Sequence, residues 1–239
     1  SFINEANNAY LTWASFNNVV AEFISYHPIL KNYRFDNADI LFNRSTVMVD
    51  LTRDKPFDLY KKRTRRDIRK AYRDGVSIEL NDKESFIEPF KKIYFKTMIR
   101  NLAENSYFFN DNYFSKLIDS KNTFVVTAFK DSKLISAAIF LMSGDYMEYH
   151  LSGTSQEGLL SNANKALLHE AIMYAKVLGI KFAHLGGGSS QMNDDTLLLF
   201  KSGFSKDTIN YSIGKRVIKK TVYEQLSKRK KNNKILHWR

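Results

Sequence analysis

The sequence predicts an α/β protein (α+β in its arrangement) with a mixed, mostly antiparallel sheet and helices on both faces. Three observations carry that expectation. From Val76 onward the apolar spacing switches between strand-like and helix-like in the order β-α-α-β-β-β-α-β-α-β. The three consecutive strands in the middle are separated only by the short turns 130–133 and 143–145, which folds them as an antiparallel meander. The strands over 146–152 and 181–185 are joined through a helix, and a helical crossover makes its two strands parallel.

Upstream of that series, residues 14–25 put Phe16, Val19, Val20 and Phe23 on one helical face, with Pro28 soon after, and predict a helix. Residues 40–42 and 46–51 read as two strands, the second nearly continuous in apolar character. Asp54 caps a helix with Pro56 in its first turn, running to Asp74 and closed by Gly75. Its apolar stripe (Tyr60, Thr64, Ile68, Tyr72) is narrow, and the other faces are cationic, so this helix lies on a surface.

A strand over 76–80 then leads into a helix over 85–100, with Phe86, Phe90, Ile93, Tyr94, Thr97 and Met98 at helical spacing. A shorter helix over 111–118 follows the aromatic run Tyr107-Phe108-Phe109. Strands follow over 123–129, 134–142 and 146–152, then a polar loop. The next helix, 164–178, turns Leu167, Ala171, Ala175 and Leu178 inward and ends at Gly179. Strand 181–185, a glycine loop, a short helix and strand 208–213 complete the series.

The stretch from His184 to Phe204, HLGGGSSQMNDDTLLLFKSGF, is the densest in chemistry. Gly186, Gly187 and Gly188 at a strand's end let a bound group approach the backbone. Asp194 or Asp195 can cap the short helix, which packs through Leu197, Leu198 and Phe200. Lys201 sits in an apolar turn, where an ammonium that loses hydration becomes an electrostatic donor. The same residues also suit a plain glycine turn, a capped helix and a surface lysine.

Composition narrows the classes. A chain of 239 residues with 44% hydrophobic and 26% charged residues can bury a full core and is not a disordered segment. No apolar run approaches a membrane span, and the first residues do not read as a signal peptide. The absence of cysteine excludes disulfides and thiolate chemistry and fits a cytoplasmic protein. Abundant Asn, Lys, Ile, Phe and Tyr suggests an AT-rich bacterial genome. The five histidines are scattered, with no metal-ligand spacing, and His150 and His184 read as packing or hydrogen-bonding residues before bases. No metal is expected.

The net charge of +12 is uneven: residues 61–74 carry eight Lys/Arg against two Asp, and residues 215–239 carry ten against one Glu. Such clusters favour a polyanion or an anionic membrane surface, although charge runs are as often solvated faces. Residues 228–234 (KRKKNNK) form a basic tail expected to fray.

LGGG, Asp195, the leucine-rich turn and FKSGF, with RRDIRKAYRDGV over 65–76, resemble the FemABX-type aminoacyltransferases and their GNAT-fold relatives. The resemblance covers most of the chain. It implies one complete GNAT domain over 76–239, preceded over 1–75 by part of a second, and residues upstream of Ser1. The family's strand end is closer to Asp-Phe-Gly-Gly, where this chain has His184-Leu185-Gly186-Gly187. By resemblance Lys201, beside Phe200, stabilises the acyl-transfer intermediate. Donor and substrate contacts fall on Ser161, Asn162, Asn164, Gly186, Gly187, Gly188 and Asp195. Arg65, Arg66, Arg69 and Lys70 would bind tRNA or the diphosphate of a nucleotide-linked acceptor.

The implied partners are aminoacyl-tRNA and a cell-envelope precursor with a reactive amine, in the cytoplasm or at the inner face of the membrane, with peripheral contact to that surface. No cofactor is implied. Acetyl-CoA-dependent GNAT enzymes carry a glycine-containing pyrophosphate turn where this chain has Leu159-Leu160-Ser161-Asn162-Ala163. Only Ala163 fits. Ser161, Asn162 and Asn164 therefore suit helix capping as well as donor binding. Two alternatives stay open: an acetyl- or acyl-CoA-dependent N-acyltransferase acting on a surface sugar or amine, and a non-catalytic RNA- or envelope-binding module.

Overall fold

The computed structural model describes residues 1–81, 83–189 and 195–227. Asp194 and the basic run 228–234 lie outside the described residues. The described residues pack as two units, one formed by residues 1–46 and 209–227, the other by residues 47–189 and 195–208.

In the first unit α1 (Phe2–Phe16) is followed by β1 (Ala21–Ser25), so the helix expected over 14–25 is replaced by a helix end and a strand. The reason is local. The Asn17 side chain donates to the Trp13 carbonyl, and Asn18 enters the left-handed region at φ 59°, which stops the helix. The chain then pairs as a strand. Strand β2 (Asp39–Asp50) is one continuous strand where two were expected, and its first part belongs to this unit. β8 (Thr208–Val217) lies between β1 and β2, antiparallel to β1 with Ala21 opposite Val217, and α8 (Lys220–Ser227) follows. Arg216 is partly buried here and pairs with Glu22, at 2.8 Å, and with Asp36.

The second unit holds the rest. A single 3₁₀ turn at Pro56–Leu59 precedes α2 (Lys62–Arg73), so the helix expected from Asp54 to Asp74 is broken at Tyr60-Lys61. Tyr60 is extended because its ring is buried beside Phe204, and the Lys61 amide donates to the Gly203 carbonyl at 2.8 Å. Of the expected stripe, Thr64 and Ile68 are buried, Tyr72 is exposed, and Asp67 and Ala71 are buried in its stead. Gly75 closes the helix at φ 85°.

Then come β3 (Ser77–Asn81), α3 (Lys83–Arg100), α4 (Asp111–Asp119), and the meander β4 (Thr123–Lys130), β5 (Lys133–Ser143) and β6 (Tyr146–Thr154). The segment expected as a polar loop contains a short helix, α5 (Gln156–Leu160), capped by the Ser155 hydroxyl on the Gly158 amide. The crossover helix α6 (Ala163–Val177), β7 (Phe182–Gly187) and α7 (Thr196–Lys201) complete the unit, with strand order β2-β7-β6-β5-β4-β3. The order of elements from β3 matches the sequence expectation apart from α5 and, after β8, α8. Leu178 and Leu197, expected inside, are 48% and 40% exposed.

Helices cover both faces of this part of the sheet. One core joins α2, α6 and α7 to the strands through Ile68, Ala166, Leu167, Ala171 and Phe200, with Phe204 beside them. The other joins α3 and α4 through Phe90, Tyr94 and Phe114. β5 feeds both by simple alternation, Ala138 and Phe140 into the first, Ala137 and Ile139 into the second.

β6 and β7 run parallel, as expected, but pair only at Tyr146–Phe182, Met147–Ala183 and Glu148–His184. Beyond Glu148 they separate, because α3 takes hold of the far end of β6. Gly153 lets the helix backbone in: a Cβ there would stand 2.6 Å from the Tyr94 nitrogen and 2.8 Å from the Ile93 oxygen. The Thr97 hydroxyl accepts from the Thr154 amide at 2.9 Å, and Arg100 donates to the Thr154 carbonyl at 2.8 Å. Backbone groups that would otherwise seek β7 are thus satisfied by α3. Gly153→Ala is expected to destabilise the protein by about 1–3 kcal/mol through overpacking, or a few degrees in Tm. Calorimetry showing an unchanged Tm would remove this account of the opening.

Candidate active site

The carboxyl ends of β6 and β7 open where a crossover connection leaves the sheet, the place where sheets of this kind bind ligands. Gly186 turns the chain there at φ 78°, a conformation a side chain resists. Asp195 then anchors the start of α7. One carboxylate oxygen accepts from the Leu197 and Leu198 amides, both at 2.9 Å, and the other from the Ser189 hydroxyl at 2.5 Å. Gly188 must lack a side chain, since its Cβ would meet the Asp195 carboxylate at 2.6 Å. The glycine run and the capping aspartate therefore form one clamp.

Six residues on, at the end of α7, that clamp delivers Lys201. Its side chain is buried at 8% exposure, so the surface-lysine reading is excluded. The Nζ donates to the Gly187 carbonyl at 2.8 Å and lies 5.8 Å from the centroid of the Tyr149 ring. An ammonium out of water costs several kcal/mol unless dipoles and ring faces replace its hydration. The FKSGF turn holds it from the other side. Phe200 and Phe204 pack at 5.7 Å, Phe204 is fully buried against Tyr60 at 5.0 Å, and Gly203 makes room for Thr64 of α2. The Lys61 ammonium reaches the Ser202 hydroxyl at 3.1 Å.

Two histidines sit near the same strand ends. His184 Nδ1 is 2.5 Å from the Glu148 carboxylate, across the last paired rung before the strands part. His150 Nε2 is 2.5 Å from the Tyr113 hydroxyl of α4. Burial holds His150 below the ordinary imidazole range, with the Glu148 charge opposing that shift, so it is neutral at neutral pH.

Ser161, Asn162 and Asn164 gather at the start of α6, but none caps it. The Ser161 hydroxyl donates to the Glu157 carbonyl at 2.9 Å, Asn162 sits in the left-handed region with its side-chain oxygen accepting from Lys165, and Asn164 lies inside the helix. On α2, Arg65, Arg66 and Arg69 line an open groove of about 700 Å³ together with Lys62 and Arg63. Lys70, grouped with them from the sequence, is not among the lining residues. Arg65 lies 3.5 Å from Asp58 and Arg69 stacks 5.5 Å from Phe57.

Sequence reasoning missed Glu148, Tyr149, Asp67 and Lys165. Asp67 had a signal, being an acidic residue inside a cationic run; Lys165 and Tyr149 had none, because their partners are distant in sequence. Among the described residues no cluster of His, Asp or Glu is arranged to hold a metal ion, and no helix is long and apolar enough to cross a membrane. Asp195→Ala should cost about 1 kcal/mol or more in urea unfolding, since it removes the cap and the clamp together. Thr196→Ala, a neighbour without that bond, serves as the control; equal effects would show that the clamp does not hold α7.

Comparison with known proteins places this geometry. The family model described as an acetyltransferase (GNAT) domain matches residues 60–202, more than half of the chain. A UDP-N-acetylmuramoylpentapeptide-lysine N(6)-alanyltransferase of Weissella viridescens is 28% identical over 194 residues, 77% of this chain. The chain spans 56% of that relative's length. The crystal structure of FemX has a similar fold, with TM-score 0.73 at 14% identity over 94% of this chain and 78% of that one. L-PGS from Bacillus licheniformis aligns with TM-score 0.60 at 12% identity, again over 94% of this chain and 78% of that one. On the family match, with the opened β6–β7 pair and the two-faced sheet, the chain belongs to the GNAT acetyltransferase-domain family.

Proposed function

We propose that this domain transfers an aminoacyl group from aminoacyl-tRNA to an amine of a peptidoglycan precursor, with Lys201 stabilising the oxyanion. The observation that carries this reading is the buried ammonium of Lys201, fixed at the open end of β6 and β7. The Weissella viridescens relative is named for alanyl transfer to a lysine of such a precursor, which supports the acceptor class.

The chemistry follows from that placement. The acceptor nitrogen attacks the ester carbonyl, a carbon–nitrogen bond forms, and the carbon–oxygen bond to the ribose breaks. The proton lost by the amine leaves with the released hydroxyl. Negative charge develops on the carbonyl oxygen in between, and a preorganised donor in a dry site lowers that barrier most. The bond from the Lys201 ammonium to the Gly187 carbonyl fixes where its positive charge lies. The clamp of Gly188 and Asp195 and the packing of Phe200 hold that donor in place, which is the positioning such a step requires.

An acetyl-CoA donor finds less support. The residues that would cradle its diphosphate, 159–163, finish one helix and pass through left-handed Asn162, and the Ser161 and Asn162 side chains are engaged locally. The groove on α2 suits a polyanion, in keeping with a tRNA donor. A precursor assembled in the cytoplasm, at the inner face of the membrane, is the corresponding acceptor.

Lys201→Met should keep the fold, because an unbranched apolar side chain of similar length fills the same space, as circular dichroism can check. Turnover should fall by about 10²–10³-fold, roughly 3–4 kcal/mol, with donor binding largely kept. Lys201→Arg should rescue poorly, since a planar fork does not fit the space of a compact ammonium. Steady-state transfer assays on the three proteins decide this; a Met variant at near wild-type rate would contradict the assignment.

A further inference from the structure

Asp67 is the only acidic residue of α2 (Lys62–Arg73), and its side chain is 9% exposed. Three cations close on it. Lys165 Nζ lies 2.7 Å from one carboxylate oxygen, Arg63 Nε 3.9 Å from the same oxygen, and Arg66 Nη2 3.1 Å from the other. Burial opposes ionisation of Asp67, but hydrogen bonds from Lys165 and Arg66 outweigh it and hold its pKa below the ordinary carboxylate value. It is charged at neutral pH, and one carboxylate cannot neutralise three cations.

The corner is built from two elements. Lys165 comes from the first turn of α6 and also bonds the Asn162 side chain at 3.1 Å. Arg63 and Arg66, 83% and 72% exposed, line the groove on α2. Asp67 holds the heads of Arg66 and Lys165 by hydrogen bonds before any ligand arrives, with Arg63 alongside, which lowers the ordering cost of binding. Guanidinium forks beside an ammonium suit the oxygens of a phosphate.

Helix α2 also sets a distance. The Lys61 amide is bonded to the Gly203 carbonyl, two residues from Lys201. At 1.5 Å per residue, Asp67 lies roughly 9 Å from Lys61 along the helix axis. At the 3′ end of an RNA the last phosphodiester is separated from the esterified hydroxyl by one ribose. In a nucleotide-linked peptide acceptor a sugar and several amino acids separate the diphosphate from the reacting amine. A corner on the helix whose start is bonded beside the turn that carries Lys201 fits the first.

We propose that Arg63, Arg66 and Lys165, arrayed on Asp67, hold the 3′-terminal phosphodiester of the donor RNA while its acyl end lies at Lys201. The proposal rests on the aminoacyl-tRNA reading above. It is tested by fluorescence anisotropy with a tRNA acceptor-stem minihelix, titrated across salt concentrations, and in parallel with uridine diphosphate.

Lys165→Met and Arg66→Gln should each weaken minihelix binding several-fold and lower the log–log salt slope by about one. Lys165→Arg should keep most of the affinity, Lys92→Gln on α3 should change nothing, and uridine diphosphate binding should be equal in all. Unchanged minihelix affinity and slope in Lys165→Met, with circular dichroism showing it folded, would overturn the corner while leaving the donor reading intact. Loss of uridine diphosphate binding with minihelix binding retained would assign the corner to the acceptor and overturn the proposal. Failure of the wild-type protein to bind the minihelix would overturn the donor reading and this corner together.

Discussion

The close approach of α3 to β6 is the constraint on which the rest depends. A parallel strand pair left to itself zips along its length, because each rung satisfies a buried amide and carbonyl. Here the zip stops after Glu148–His184, and the freed end of β6 is taken over by Thr97 and Arg100. Only a residue without a side chain at 153 permits that, since the helix backbone occupies the space of a Cβ. The opening is thus held by hydrogen bonds and close packing rather than by a flexible loop.

What fills the opening's edge is a buried cation, and its placement is costly enough to be informative. A methionine would pack at Lys201 without losing hydration. The chain instead surrounds an ammonium with a backbone carbonyl and a tyrosine ring and fixes it through a capped helix. Asp67 shows the complementary device, a buried anion that organises cations at the surface. One feature stores positive potential inside the cleft, the other presents it outside, both on α2, α6 and α7 around a shared core.

Much of this was legible in the residues. The antiparallel meander, the crossover and the capping role of Asp195 follow from turn chemistry and periodicity, which are local signals. The helix expected over 14–25 failed because Asn17 and Asn18 end α1 and β1 finds a partner in β8, nearly two hundred residues away. The long helix from Asp54 broke because Gly203 binds the Lys61 amide and Phe204 binds the Tyr60 ring. Lys201 was placed correctly in an apolar turn, but its depth depends on Tyr149 and Gly187, which no spacing in the sequence connects to it. At Tyr60-Lys61 long-range packing overrides propensity, and at Asn17-Asn18 a local stop acts together with the distant strand partner.

The central claim is that the cleft beside Lys201 accepts an acyl group carried by tRNA. The most direct measurement is a transfer assay with the purified protein and a lysine-containing UDP-N-acetylmuramoyl pentapeptide, supplied in turn with labelled alanyl-tRNA and labelled acetyl-CoA. The account predicts label on the peptide from alanyl-tRNA and none from acetyl-CoA. Label from acetyl-CoA alone would contradict it.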